Sequence, residues 1–285
     1  MIKNKYRLSS EIYDRETDSE KIPPAKVIFL SVEGKVTEKE YFDNISRYRE
    51  QLGINANINV EVLRRSDTYS APKQVIELLE EYLEIRNSDE EYGLKEIFDN
   101  FSNEFAIEDV NKFLKSEMTK KEAIVFSNKL RKIGYDYSYF KYLNKYGGPD
   151  DEFGIVIDRD QYSNTEKDIR DCIDYCHKKG YLCFISNPCF EFWLLLHLCD
   201  VKKELKDNLI DISLNKKISE RHTFVSNEVS KRAHHGKGHL NFEKNYLNNV
   251  PIAIKRAKDF SCTEEELISN IGTNIGVLIE KLLRY

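Results

Sequence analysis

A chain of 285 residues is long enough to bury a sizeable core, as one elaborated domain or two small ones. With 33 % charged and 40 % hydrophobic residues it has a globular profile, and its net charge of −5 argues against wholesale non-specific nucleic-acid binding while leaving room for a local basic surface. No stretch approaches the ~18 apolar residues of a membrane span, and MIKNKYRLSSEIYDRETDSEK at the start has no apolar signal core, so the expected location is the cytoplasm, away from any membrane.

Residues 1–24 are polar and charged, end in Pro23-Pro24, and read as a flexible leader. KVIFLSVEG then gives a buried strand, Val27 to Val32, which finishes on Glu33 and turns at Gly34. Thr37 to Glu40 reads as a capping box opening a helix that carries Tyr41, Phe42 and Ile45 on one side. Asn57 to Leu63 alternates, with Ile58, Val60 and Val62 on one face, as a half-buried strand towards a sheet edge does. Pro72 opens a further helix with an apolar stripe from Val75 to Leu83. Strand, helix, strand and helix in succession predict a βα-repeat sheet.

Between 87 and 149 no strand signal appears. Helices are expected over Leu94–Phe101, Ile107–Ser116 and Lys120–Ile133, the last with a capping box from Thr119 to Glu122. The segment is too long for a loop and reads as a helical insertion closed by the tyrosine-rich YDYSYFKYLNKYGG. Those tyrosines either pack the inserted helices or offer a stacking surface.

FGIVIDRDQ, Phe153 to Gln161, is the centre of the chain's chemistry. Its apolar run is a buried strand ending in Asp158 and Asp160. In an extended chain residues i and i+2 point the same way, ~6–7 Å apart, so both carboxylates can converge on one cation while Arg159 points elsewhere. A helix from Thr165 to Lys179 stops at Gly180, and Tyr181 to Ile185 is the next buried strand. In SNPCFEFWLLLHLC, Asn187 suits an N-cap and Pro188 an N1 position, and the helix is apolar all round except at Glu191 and His197. Glu191 either satisfies the helix's own amides, pairs with a base or joins a site; His197 reads as a core histidine.

The six cysteines form no CxxC pair. Cys172 and Cys176, with His177 beside them, can seed a metal site, but small buried hydrophobes in a reducing compartment is the preferred reading. From Val201 on the chain is mostly helical. Around HHGKGH it gathers Lys231, Arg232, Lys237 and His239, which suit a phosphate-contacting loop, a plain solvated loop or, more weakly, a metal cluster. Thr273 to Leu283 is a final helix.

Three carboxylates at two strand ends suit Mg2+ or Mn2+, which take oxygen ligands and keep waters for a substrate phosphate. VEGKVTEKEYF (Val32 to Phe42), IVIDRD (Ile155 to Asp160) and SNPCFEFWLLLH (Ser186 to His197) together resemble the RloB-like family, a branch of the Toprim fold; NFEKNY (Asn241 to Tyr246) is a looser match. The resemblance implies an α/β fold: a Toprim-like, mostly parallel sheet flanked by helices, built from 25–86 and 150–200. The helical insertion 87–149, read from its own residues, is not covered by the resemblance, and 201–285 reads as a helical C-terminal region. The resemblance implies Glu33 as general acid/base or ligand, Asp158 and Asp160 as metal ligands, and Glu191 as an accessory carboxylate. Lys35, Arg159, Lys231, Arg232, Lys237 and His239 are then candidates for contacts to nucleic acid. It further implies a nuclease acting on tRNA, other RNA or DNA, as the toxic effector of a bacterial anti-phage, abortive-infection system beside an ABC-type ATPase. A homo-oligomer remains compatible with the sequence. No Walker A motif occurs, so ATP use would come from the partner. The competing expectation is a non-catalytic adaptor that binds the ATPase or nucleic acid.

Overall fold

The computed structural model describes residues 26–55, 57–64, 71–87, 105–132, 148–220, 222–233 and 240–284. Two compact units divide the chain: Pro24–Val62, Tyr69–Ile76 and Asp150–Tyr285 form one, and Met1–Pro23, Leu63–Thr68 and Glu77–Pro149 the other.

The larger unit is built on a five-stranded sheet: β1 (Lys26–Val32), β2 (Ile58–Val62), β3 (Glu152–Asp158), β4 (Leu182–Asn187) and the two-residue β5 (Gly272–Thr273). The spatial order is β2-β1-β3-β4-β5, with the first four strands parallel and β5 antiparallel to β4. β2 lies at an edge, as its alternating pattern led one to expect, and Ile58, Val60 and Val62 are its buried positions. β5 has no sequence signal. At Gly272 the backbone of Ser261 passes so close that an added Cβ would stand 1.9 Å from its carbonyl oxygen, so only glycine fits.

Helices α1 (Thr37–Arg47), α2 (Pro72–Arg86), α3 (Ile107–Leu114), α4 (Lys120–Lys132), α5 (Glu166–Lys179), α6 (Phe190–Leu198), α7 (Phe224–Arg232), α8 (Val250–Ala257) and α9 (Ile275–Arg284) complete the description, with short helical turns between them. α3 and α4 belong to the smaller unit, where Thr119 and Glu122 form the expected reciprocal cap. The helix expected over Leu94–Phe101 and the tyrosine-rich segment lie outside the described residues.

One face of the sheet presents Ile28, Leu30, Val32, Val156 and Phe184 to Tyr41, Phe42 and Ile45 of α1 and to α6. On the opposite face Ser31 Oγ donates to the Val75 carbonyl at the start of α2 (2.7 Å), and α5 buries Ile169, Cys172, Ile173 and Cys176. Both faces are covered, which is why these strands read as continuous apolar runs. Thr165 caps α5 in a box with Asp168, and Gly180 ends it at φ 73°.

α6 is the hub of the C-terminal half. Phe190, Phe192, Trp193, Leu194, Leu195, Leu196 and His197 are all buried, because α7, α8 and α9 surround it on the sheet. Burying each large apolar side chain contributes ~1.5–3 kcal/mol, so this helix anchors the region. His197 is the core histidine that was expected. Its Nδ1 faces the Trp193 carbonyl (3.0 Å), which can only accept, so that nitrogen carries the proton and Nε2 accepts from the Tyr41 hydroxyl (3.3 Å). Burial, with Arg256 adding to it, pushes its pKa down to about 3 and keeps it neutral. Cys172, Cys176, Cys183, Cys189 and Cys199 are buried free thiols, and Cys262 is exposed. Among the described residues no helix is long and apolar enough to cross a membrane.

Candidate functional site

Winding of the sheet reverses between β1 and β3, because α1 leads from β1 out to β2 while β3 returns on the other side of β1. At such a switch point the connections diverge beyond the strand C-termini and leave a crevice. Glu33 and Asp158 stand there. The Glu33 amide continues the ladder to Val156 O (3.0 Å), and its Oε2 accepts from the Asp158 amide (2.9 Å). A side chain thus ties the two strand ends together.

Asp158 turns its own Oδ1 to the Phe190 amide (2.8 Å), the first residue of α6. The carboxylate caps that helix from 32 residues away, where the helix dipole favours negative charge. The cap expected at Asn187 is not formed. Asn187 still lies in β4 and donates Nδ2 to Leu267 O (2.8 Å), and the N-cap position falls to Cys189.

Electrostatically Asp158 belongs to a cluster. Burial first, then the charges of Glu33, Glu38 and Glu191, hold its carboxyl well above the usual carboxylate range, against the opposing bond from Phe190. Glu191 enters from the first turn of α6 as expected; burial and this same carboxylate, with Asp158, also push the neighbouring Cys189 thiol up.

Glu38 is the member that sequence reasoning missed. It was placed inside a capping box, but α1 has Val36 at its N-cap with no side-chain cap, and Thr37 is already helical. Glu40 reaches instead to the Leu240 amide (2.8 Å). Glu38 is 5 % exposed and folds back so that Oε1 accepts from the Gly34 amide (2.9 Å). A Cβ on Gly34 would lie 1.7 Å from Glu38 Oε2, so the glycine makes room for this carboxylate. No local pattern marks it, since a glutamate in the first turn of a helix is ordinary.

Asp160 departs from the expectation. β3 ends at Asp158, so the period-two argument that paired the aspartates no longer applies one residue later. Asp160 accepts from the Tyr162 amide (3.1 Å) and Ser163 Oγ (2.9 Å), closing a local turn. It is not among the charges that raise Asp158.

The basic candidates separate as well. Arg159 is corrected: it is buried, with Nε on Ile268 O (2.6 Å) and Nη1 on Asn164 O (2.7 Å), so its guanidinium holds loops together and does not face a phosphate. Lys231 (2.6 Å) and Arg232 both pair with Glu228. Lys35 is exposed in the turn after β1. Lys237 and His239 lie outside the described residues.

Four carboxylates whose charges oppose one another offer the oxygen donors a hard divalent cation takes, and such a cation would relieve that repulsion. Among the described residues no three His, Cys, Asp or Glu side chains form a ready ligand set. Mg2+ commonly takes one or two protein carboxylates, with water or phosphate oxygens completing the octahedron.

A family model described as RloB-like protein matches residues 28–282, from β1 to α9 and across the 87–149 segment. No curated protein and no solved structure matches the chain. The span of that match, nearly the whole sequence, makes the assignment: this chain belongs to the RloB-like family.

Proposed function

We propose that this chain is a Mg2+- or Mn2+-dependent, Toprim-type nuclease, with its active site at the β1–β3 switch point. The observation that carries the reading is Asp158: a carboxylate at a strand end, bonded to a helix N-terminus, with Glu33, Glu38 and Glu191 around it. Asp158 and Glu33 are the residues that would hold the ion, with Glu191 and Glu38 as accessory carboxylates. When bound, the ion would neutralise charge on the phosphate oxygens and lower the pKa of a water nucleophile. As the alternative to ligation, Glu33, oriented by the Asp158 amide, would act as general acid/base, taking a proton from the attacking water and returning it to the leaving oxygen. Asp160 positions the loop after β3 through its turn.

The biological role we infer is toxic effector of a bacterial anti-phage system working with an ABC-type ATPase, cleaving tRNA, other RNA or DNA; family membership supports it. A non-catalytic adaptor is the second reading, favoured by Asp160's local turn and by the lack of a ready three-residue ligand set among the described residues. Glu33→Gln, expressed together with the ATPase, separates the two. Under the nuclease reading toxicity disappears and the complex still forms. Toxicity that survives the substitution supports the adaptor.

A further inference from the structure

Away from the carboxylates, the C-terminal end of α6 opens onto a cleft of about 570 Å³. Lys202, Lys203, Lys255 and Arg256 line it with Asp200 and Asp259, and Ile252 is its one large apolar side chain. Arg256 is built in: Nη1 donates to Leu196 O (2.7 Å) and His197 O (3.3 Å), so the guanidinium covers the negative end of the helix. Lys202 is exposed, and its Nζ rests over the Phe260 ring at 4.8 Å, a weak cation–π contact that favours this position. Lys203 pairs with Asp200 (3.0 Å), and Lys255 is exposed. Four bases against two acids give the cleft an excess of positive charge that suits an anion.

α6 connects this cleft to the carboxylates. Its first amide meets Asp158 and its last carbonyls meet Arg256. Nine residues at ~1.5 Å each make α6 about 13 Å long; because the helix is buried, a strand that reached both ends would run around its cover and span at least that distance, ~4 or more steps at 3.4 Å each.

We propose that this cleft is a second phosphodiester-binding subsite, holding the backbone of a nucleic-acid substrate at a distance from the scissile bond. The proposal rests on the nuclease reading for its choice of anion. Its sequence-independent contacts to phosphate position the substrate without selecting a base.

The test measures binding of labelled single-stranded RNA and duplex DNA, at lengths from 4 to about 20 nucleotides or base pairs, in the full chain carrying Asp158→Asn so that nothing is cleaved. Lys202→Glu with Lys255→Glu should weaken binding of the long probes about tenfold or more near 0.1 M salt and reduce the log–log salt slope by about 2. Lys202→Gln with Lys255→Gln should give the same change in slope with a smaller loss of affinity, and melting curves should show both pairs folded, since the two side chains are exposed. Probes too short to span 13 Å should not respond to either pair. Unchanged affinity and slope in both pairs overturn the subsite, as does displacement of long probes by millimolar inorganic phosphate, which identifies a free-anion site. Metal-dependent cleavage by the wild type alongside unchanged binding would remove this subsite and leave the nuclease reading standing. A wild type that neither binds nor cleaves removes both.

Discussion

Replacing Asp158 by asparagine should stabilise the metal-free protein at neutral pH, although the residue is half-buried and hydrogen-bonded. Asn Oδ1 can still accept from the Phe190 amide, so the cap of α6 survives, while the charge opposed by burial, Glu33, Glu38 and Glu191 is gone. The sign follows from linkage. Asp158 has a folded pKa above its unfolded one, so in the window between them the native state holds more protons than the unfolded state. Its contribution is fully present below the ordinary carboxylate pKa of about 3.9 and is lost as pH rises through the raised value, at up to ~1.4 kcal/mol per pH unit. For a chain of this size 1 kcal/mol moves Tm by about 2 °C. Melting in EDTA from pH 4 upward should therefore show Asp158→Asn gaining on the wild type by about 2–3 °C per pH unit within the window. Taking the difference between the two proteins cancels the titrating groups that do not interact with Asp158 and leaves the carboxylate cluster. Adding Mg2+ should raise the wild type and leave the variant where it was. Parallel pH profiles, or a variant less stable throughout, would refute the carboxylate cluster.

Two further substitutions test the surroundings. Gly34→Ala places a methyl group where Glu38 Oε2 stands, so the carboxylate must swing out and lose its bond to the Gly34 amide; stability should fall by only ~1 kcal/mol in denaturant melts, while metal-dependent activity falls at least tenfold. Arg159→Met leaves Ile268 O and Asn164 O without their donor and should cost about 2–4 kcal/mol by urea unfolding, with nucleic-acid affinity in the folded fraction unchanged.

The strands were legible because both faces are covered: Val27 to Val32 and Ile155 to Ile157 have no solvent side on which to carry polar residues. Glu33 and Asp158 were legible for a related reason, as the first charges after those runs. Glu38 was not, since a glutamate in the first turn of a helix is ordinary, and only the close approach to Gly34 shows where it goes. The cap of α6 was misread at Asn187 because the true partner is distant in sequence; local pattern cannot reveal an aspartate on another strand. Asp160 was misplaced by extending β3 two residues beyond its last ladder position. Arg159 looked like a phosphate contact because a charged residue between two aspartates reads as exposed, and its carbonyl partners come from separate loops.

The most direct test of the catalytic reading is cleavage of labelled total tRNA and plasmid DNA by the purified chain, alone and with the proposed ABC-type ATPase, in Mg2+ or Mn2+, comparing wild type with Asp158→Asn. A metal site at the strand ends predicts cleavage of one of these substrates that EDTA stops and the substitution abolishes. Equal cleavage by both proteins, or none by either in the presence of the ATPase, would contradict it.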